Sequence, residues 1–244
     1  MFAARVLGAA LLAAGVACPC GAQLQTVVNP SQPSFAQRLG RDLRAPWSWS
    51  SAGVLAVGAG LSAISQQDER QSQMVFALDS SAADGFFDLG NQFGAGETIA
   101  GLAAVSWVGG ELTHRPGLVA FGQDLSSAFV VTSVYTWTLK LAIDRDRPNG
   151  APYSFPSGHA AVAFAAASVL DRHTGALPSI AGYLLAGATA AGRVEDNRHY
   201  LSDVIFGATL GLTVGAAPVA HTSFAWAREH LTVGKKGVGV RGSF

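Results

Sequence analysis

Cysteine is almost missing from this chain. The two that occur, Cys18 and Cys20, both lie among the first twenty residues. That stretch reads as a targeting segment. Arg5 supplies a positive start, Val6 to Ala17 an apolar run, and Cys20-Gly21-Ala22 small residues at which a signal peptidase could cut. An uncleaved anchor is the alternative, and Gly15-Val16-Ala17 is a poor match to a lipoprotein leader before Cys18. With residues 1–22 removed, the mature chain has no thiol, no disulfide and no cysteine-ligated metal. Charge is scarce too, at 13% of residues, and 16 basic side chains balance 16 acidic ones. No basic field is available for nucleic acid. Long hydrophobic runs are missing: most apolar stretches are about 13 to 19 residues, at or below the ~20 that cross hydrocarbon. Strand-type alternation and regular strand punctuation are missing as well.

What is present is apolar and small. Hydrophobic residues make up 49% of the chain and there are 29 glycines, a composition too apolar for disorder and suited to closely packed helices. Residues 23–46 form a polar, proline-containing segment in which Arg38, Arg41 and Arg44 recur at helical spacing, predicting a loop and a short surface helix. Trp47 and Trp49 precede an expected helix over 52–64, stopped by the polar run 66–70. A looser stretch follows, punctuated by Asp79, Asp84 and Asp88. Further helices are expected over 97–112, 124–143, 159–172, 176–193 and 202–221. The expected fold is all-α: a bundle of about six main helices within residues 47–232, with the site at helix ends and connecting loops. The glycine-rich tail, 233–244, reads as flexible.

The basic residues pose a topological question. Arg38, Arg41, Arg44, Arg115, Arg172, Arg228, Lys235 and Lys236 would fall on one side of six membrane-crossing helices. The positive-inside rule makes that side cytoplasmic, whereas a translocated N-terminus makes it external. A helical domain outside the cytoplasmic membrane, resting on a bilayer through Trp47, Trp49 and their apolar neighbours, removes the conflict. A cell-envelope location, periplasmic or membrane-associated, is the expectation.

Three clusters in the second half carry chemistry. Lys140 is followed after six residues by Arg147-Pro148; then comes Pro156-Ser157-Gly158-His159; then Arg193, five residues, His199, three residues and Asp203. Each has a bland reading. Lys140 and Arg147 suit a helix C-terminus, Ser157 suits a helix cap, and His199 and Asp203, four apart, could be a surface pair. Together they supply what a tetrahedral oxyanion needs. Guanidinium and ammonium groups bind its oxygens, free amides at a helix start complete a cradle, and two imidazoles can divide attack and proton transfer. A carboxylate one turn from a histidine fixes its tautomer. By contrast His114, within His114-Arg115-Pro116, and His173, His221 and His230 show no metal-ligand spacing, and Asp144, Arg145 and Asp146 form a charged loop beside the site that reads as solvated, with shaping of substrate access as the alternative.

This pattern resembles the type 2 phosphatidic acid phosphatase (PAP2) superfamily, whose relatives include bacterial non-specific acid phosphatases, glucose-6-phosphatase and vanadium haloperoxidases. The family pattern is Lys-x6-Arg-Pro, Pro-Ser-Gly-His and Ser-Arg-x5-His-x3-Asp, and all three appear in order between Lys140 and Asp203. One position departs: Gly192 stands where the family has Ser, which takes a hydroxyl from the phosphate shell. The resemblance implies that Lys140, Arg147 and Arg193 bind phosphoryl oxygens, with Ser157 and the Gly158 amide. It implies that His199 attacks phosphorus, that Asp203 orients it, and that His159 protonates the leaving oxygen and then activates water. No metal and no other cofactor is expected. The expected substrate is a phosphorylated lipid, with soluble monoesters as the alternative and a membrane surface as partner. A haloperoxidase would need a longer chain, and a non-catalytic lipid-binding module would not need both histidines.

Overall fold

The computed structural model describes residues 34–65 and 81–216, and the backbone of 231–234 and 237–240. The expected leader 1–22, the segment 23–33, the run 66–70, Asp79, His221, His230, Arg228, Lys235 and Lys236 lie outside the described residues. Eight helices are described: α1 (Phe35–Asp42), α2 (Trp49–Ser65), α3 (Ser81–Phe93), α4 (Gly96–Leu112), α5 (Pro116–Ile143), α6 (Gly158–His173), α7 (Ala176–Glu195) and α8 (Leu201–Ala216). The fold is an all-α bundle, as the sequence implies. In the tail, β1 (Leu231–Gly234) pairs antiparallel with β2 (Gly237–Val240), the only strands among the described residues.

α6 and α8 pack most extensively and form the centre of the bundle. Small residues let them do so. A Cβ at Gly207 would stand 2.5 Å from the Ser157 carbonyl oxygen, and one at Gly211 would overlap the carbonyl of Ala161. The facing side of α6 is an alanine stripe, with Ala161 and Ala165 fully buried. This close approach brings the start of α8 against the start of α6: the Ser157 amide donates to the Asp203 carbonyl at 3.0 Å. Leu125, Val131, Val169, Leu210 and Val214 complete the main core. Burying such a side chain contributes roughly 1.5–3 kcal/mol.

Two helices differ from expectation. α3 occupies the stretch expected to be loose, where Asp84 and Asp88 punctuate small apolar clusters and aspartate is a poor helix former. Tertiary contact overrides propensity here: Gly90 lies against the backbone of Thr189 on α7, and the Thr189 hydroxyl donates to the Gly90 carbonyl at 2.5 Å. α5 begins at Pro116, with proline in its first turn, and its 28 residues run past Asp124. His173 and Arg172 of α6 partner that carboxylate, at 3.0 and 3.7 Å, and make its place within a helix tolerable. α5 is the one helix among those described that is long and apolar enough to cross a membrane.

Candidate active site

The site sits where α5 and α7 end and where α6 and α8 begin. Lys140 lies in the last turn of α5, buried, and its Nζ donates to the carbonyls of Tyr153 at 2.6 Å and Ser154 at 3.3 Å. It therefore ties the following loop to the helix while one N–H stays available. Burial first, then the nearby Arg147 charge, lower its pKa to about 8, against the pull of Asp203.

Arg147 follows in the loop, held by its backbone: its amide donates to Ala151 and its carbonyl accepts from Gly150. Its Nε is buried and has no hydrogen-bond partner. Arg193 closes α7, and its Nε is likewise buried and unpartnered, while Nη1 lies 3.5 Å from exposed Asp196. Ser157 caps α6, accepting from the Ala160 amide at 3.4 Å. Its hydroxyl hydrogen is still available to donate, and the Gly158 amide, first of the helix, has no intrahelical acceptor. A helix N-terminus and three cations thus converge on one place.

His159 stands at this helix start, half-buried. Burial lowers its pKa to about 4, helped by Arg193, His199 and Arg147 and opposed by Glu97 at the start of α4. His199 lies just before α8, its amide fixed to the Arg193 carbonyl at 3.0 Å. It is almost fully buried, and its Nδ1 is 3.5 Å from Asp203 Oδ2, a long approach with no other partner for Nδ1. Burial, opposed by Asp203 and assisted by Lys140 and Arg147, also brings this imidazole to about 4. Both histidines are therefore neutral at pH 7 in the unliganded protein.

Asp203 is wholly buried. Burial alone would raise its pKa, but the facing His199 imidazole and hydrogen bonds from Ser154 and the Tyr200 amide lower it, so it is ionised. The structure brings together every candidate site residue: Lys140, Arg147, Ser157, Gly158, His159, Arg193, His199 and Asp203. Gly192 faces elsewhere. A Cβ there would stand 3.1 Å from Phe87 and from Asn91 of α3, so a serine at this position would meet that helix. Two residues escaped the sequence reading. Glu97 faces His159 electrostatically with no motif to announce it. Arg145, read as part of a solvated loop, instead donates to Asp203 Oδ1 at 2.9 Å. Among the described residues, His114 and His173 lie at the opposite end of α5, away from this cluster.

The model of the PAP2 superfamily matches residues 114–227, which include the whole constellation. Residues 114–227 belong to the PAP2 superfamily. Among curated proteins, a lipid A 1-phosphatase of Porphyromonas gingivalis is 44% identical over 80 residues, 31% of this chain; the match spans only 18% of that protein's length. The crystal structure of LpxE from Aquifex aeolicus superposes with a TM-score of 0.50 and 21% identity, over 62% of this chain and 93% of that one. At that identity the likeness speaks for the all-helical fold alone.

Proposed function

We propose that this protein is a metal-independent, membrane-associated phosphatase of the cell envelope that hydrolyses phosphate monoesters or pyrophosphates of lipids through a phosphohistidine. The observation that carries the reading is the set around His199: a buried, neutral imidazole backed by an ionised carboxylate, beside Lys140 and two guanidinium groups, Arg147 and Arg193, whose buried Nε–H groups have no partner.

The chemistry follows from the residues. Lys140, Arg147, Arg193 and the α6 amides hold the non-bridging oxygens and spread the charge that grows in the transition state. His199 uses its Nε2 lone pair on phosphorus, while Asp203 accepts from Nδ1 and stabilises the imidazolium that forms. As the P–O bond breaks, His159 gives its proton to the leaving oxygen. That proton is bound only once the substrate's negative charge offsets Arg147 and Arg193, since His159 is neutral beforehand. His159 then takes a proton from water, which attacks the phosphohistidine and releases phosphate. The cations supply the charge compensation that Mg²⁺ provides in other phosphoryl-transfer enzymes.

Exposed apolar side chains favour a lipid substrate. Leu61 and Ile64 on α2, Leu112 on α4, Leu141 on α5 and Leu177 and Leu184 on α7 are each more than half exposed. Such area fits hydrocarbon or an interface better than water. The likeness to a lipid A 1-phosphatase of P. gingivalis points the same way.

The test is phosphate release in EDTA from lipid A, phosphatidate, a polyprenyl pyrophosphate and p-nitrophenyl phosphate, with vanadate as inhibitor. Vanadate-sensitive release from a micellar lipid phosphate is expected. Release from the soluble ester alone would make the protein an acid phosphatase of soluble monoesters. No release from any substrate by folded protein would leave a lipid-binding module.

A further inference from the structure

Asp203 is held by more groups than the orientation of one imidazole requires. Its Oδ2 faces His199 Nδ1 and accepts from the Tyr200 amide at 2.9 Å and from the Ser154 hydroxyl. Its Oδ1 belongs to Arg145, whose Nη1 donates to it at 2.9 Å and to the Ser202 hydroxyl at 2.8 Å. The Arg145 guanidinium also lies 4.0 Å over the Tyr200 ring, and the Arg145 carbonyl accepts the Ser154 amide at 2.6 Å. One residue of the loop after α5 thus touches Asp203 directly and fixes Ser154 and Tyr200, which hold its other oxygen.

We infer that Arg145 is the positioning residue of the proposed reaction, gripping Oδ1 of Asp203 so that Oδ2 is aimed at His199 and the nucleophile's basicity is held down. The inference rests on the phosphatase reading for its catalytic meaning and on the geometry above for its existence. An exposed ion pair of this kind would contribute little. Here the carboxylate is entirely buried, away from bulk solvent, so a cation at 2.9 Å strongly reduces what the carboxylate can offer an imidazolium. His199 is also faced by Lys140 of α5, Arg147 of the loop and His159 of α6, while Arg193 of α7 takes its amide. Except for Asp203 these are cations or a neutral ring. Arg145 decides how much of the one compensating charge reaches the nucleophile, and so keeps its lone pair free until phosphorus is bound.

The test compares Arg145→Gln and Arg145→Lys in the full chain, following the His199 ring by NMR titration and kcat against pH with a phosphate ester. R145Q should raise the His199 titration by about one pH unit, carry the acid limb of kcat/KM with it, and lower kcat tenfold or more. R145K keeps the charge and should leave the titration in place while kcat falls several-fold. An unchanged His199 titration in folded R145Q overturns the inference; should R145Q not fold, wild-type kcat in R145K overturns it. Wild-type protein inactive on every ester would defeat the phosphatase reading, while the titration still decides the role of Arg145.

Discussion

Arg115-Pro116 and Arg147-Pro148 flank the same helix, and the 28 residues of α5 put them about 42 Å apart. At the first end, Pro116 opens the helix and Arg115 is its N-cap residue. Basic side chains nearby meet carboxylates: Arg172 and His173 face Asp124, and Arg41 lies 3.8 Å from Asp42, which also accepts from the Ser127 hydroxyl at 2.6 Å. Arg38 donates to Gln123. At the second end Lys140, Arg147 and Arg193 converge, and the one fully buried carboxylate there is already committed to Arg145, Ser154, Tyr200 and His199. On the proposed reading this dipeptide binds an anion where positive charge is left over, and has no such role at the helix start, where Arg115 is exposed.

Breaking the second end should have the larger effect. Arg147→Ala or Arg193→Ala should lower kcat/KM on the preferred ester by about 10²-fold or more, the scale of one lost transition-state donor. Arg115→Ala should change it less than about threefold. Comparable losses in R115A and R147A, by steady-state kinetics, would erase the contrast.

Gly211→Val should act next, through the α6–α8 contact. Its side chain meets the Ala161 backbone, so overpacking of about 1–3 kcal/mol is expected, read as a lower denaturation midpoint. Since the same contact aligns Asp203 with Ser157, activity should fall alongside stability.

A further effect is that of pH on stability. His159 and His199 titrate near 4 when folded, against about 6.5 unfolded. As pH falls from about 6.5 towards 4, the unfolded chain takes up protons that the folded one refuses, and stability declines. Above 6.5 both states carry neutral rings and this contribution is constant. His159→Gln should flatten the decline; an equally steep fall in Tm in that variant would place its origin elsewhere.

The cluster was legible because its parts stand at fixed spacings along the chain. Histidine and aspartate four apart share a helical face, and Pro-Ser-Gly-His both starts a helix and exposes its amides. The helices α4, α6 and α7 were likewise readable to within a residue or two, since their apolar patterns end at Gly, Pro or polar residues. α3 was not, because its helix depends on Gly90 meeting Thr189 some hundred residues away in sequence. Arg145 was hidden for a related reason. Between Asp144 and Asp146 it looks solvated, and only the return of the chain at Asp203 shows its partner.

The most direct test is a rapid acid-free quench with a ³²P-labelled phosphate ester, followed by peptide mapping. The account predicts a base-stable, acid-labile label on the peptide containing His199, absent in His199→Ala, a folded variant without turnover. Rapid hydrolysis with no label on His199, or appreciable turnover by His199→Ala, would contradict it.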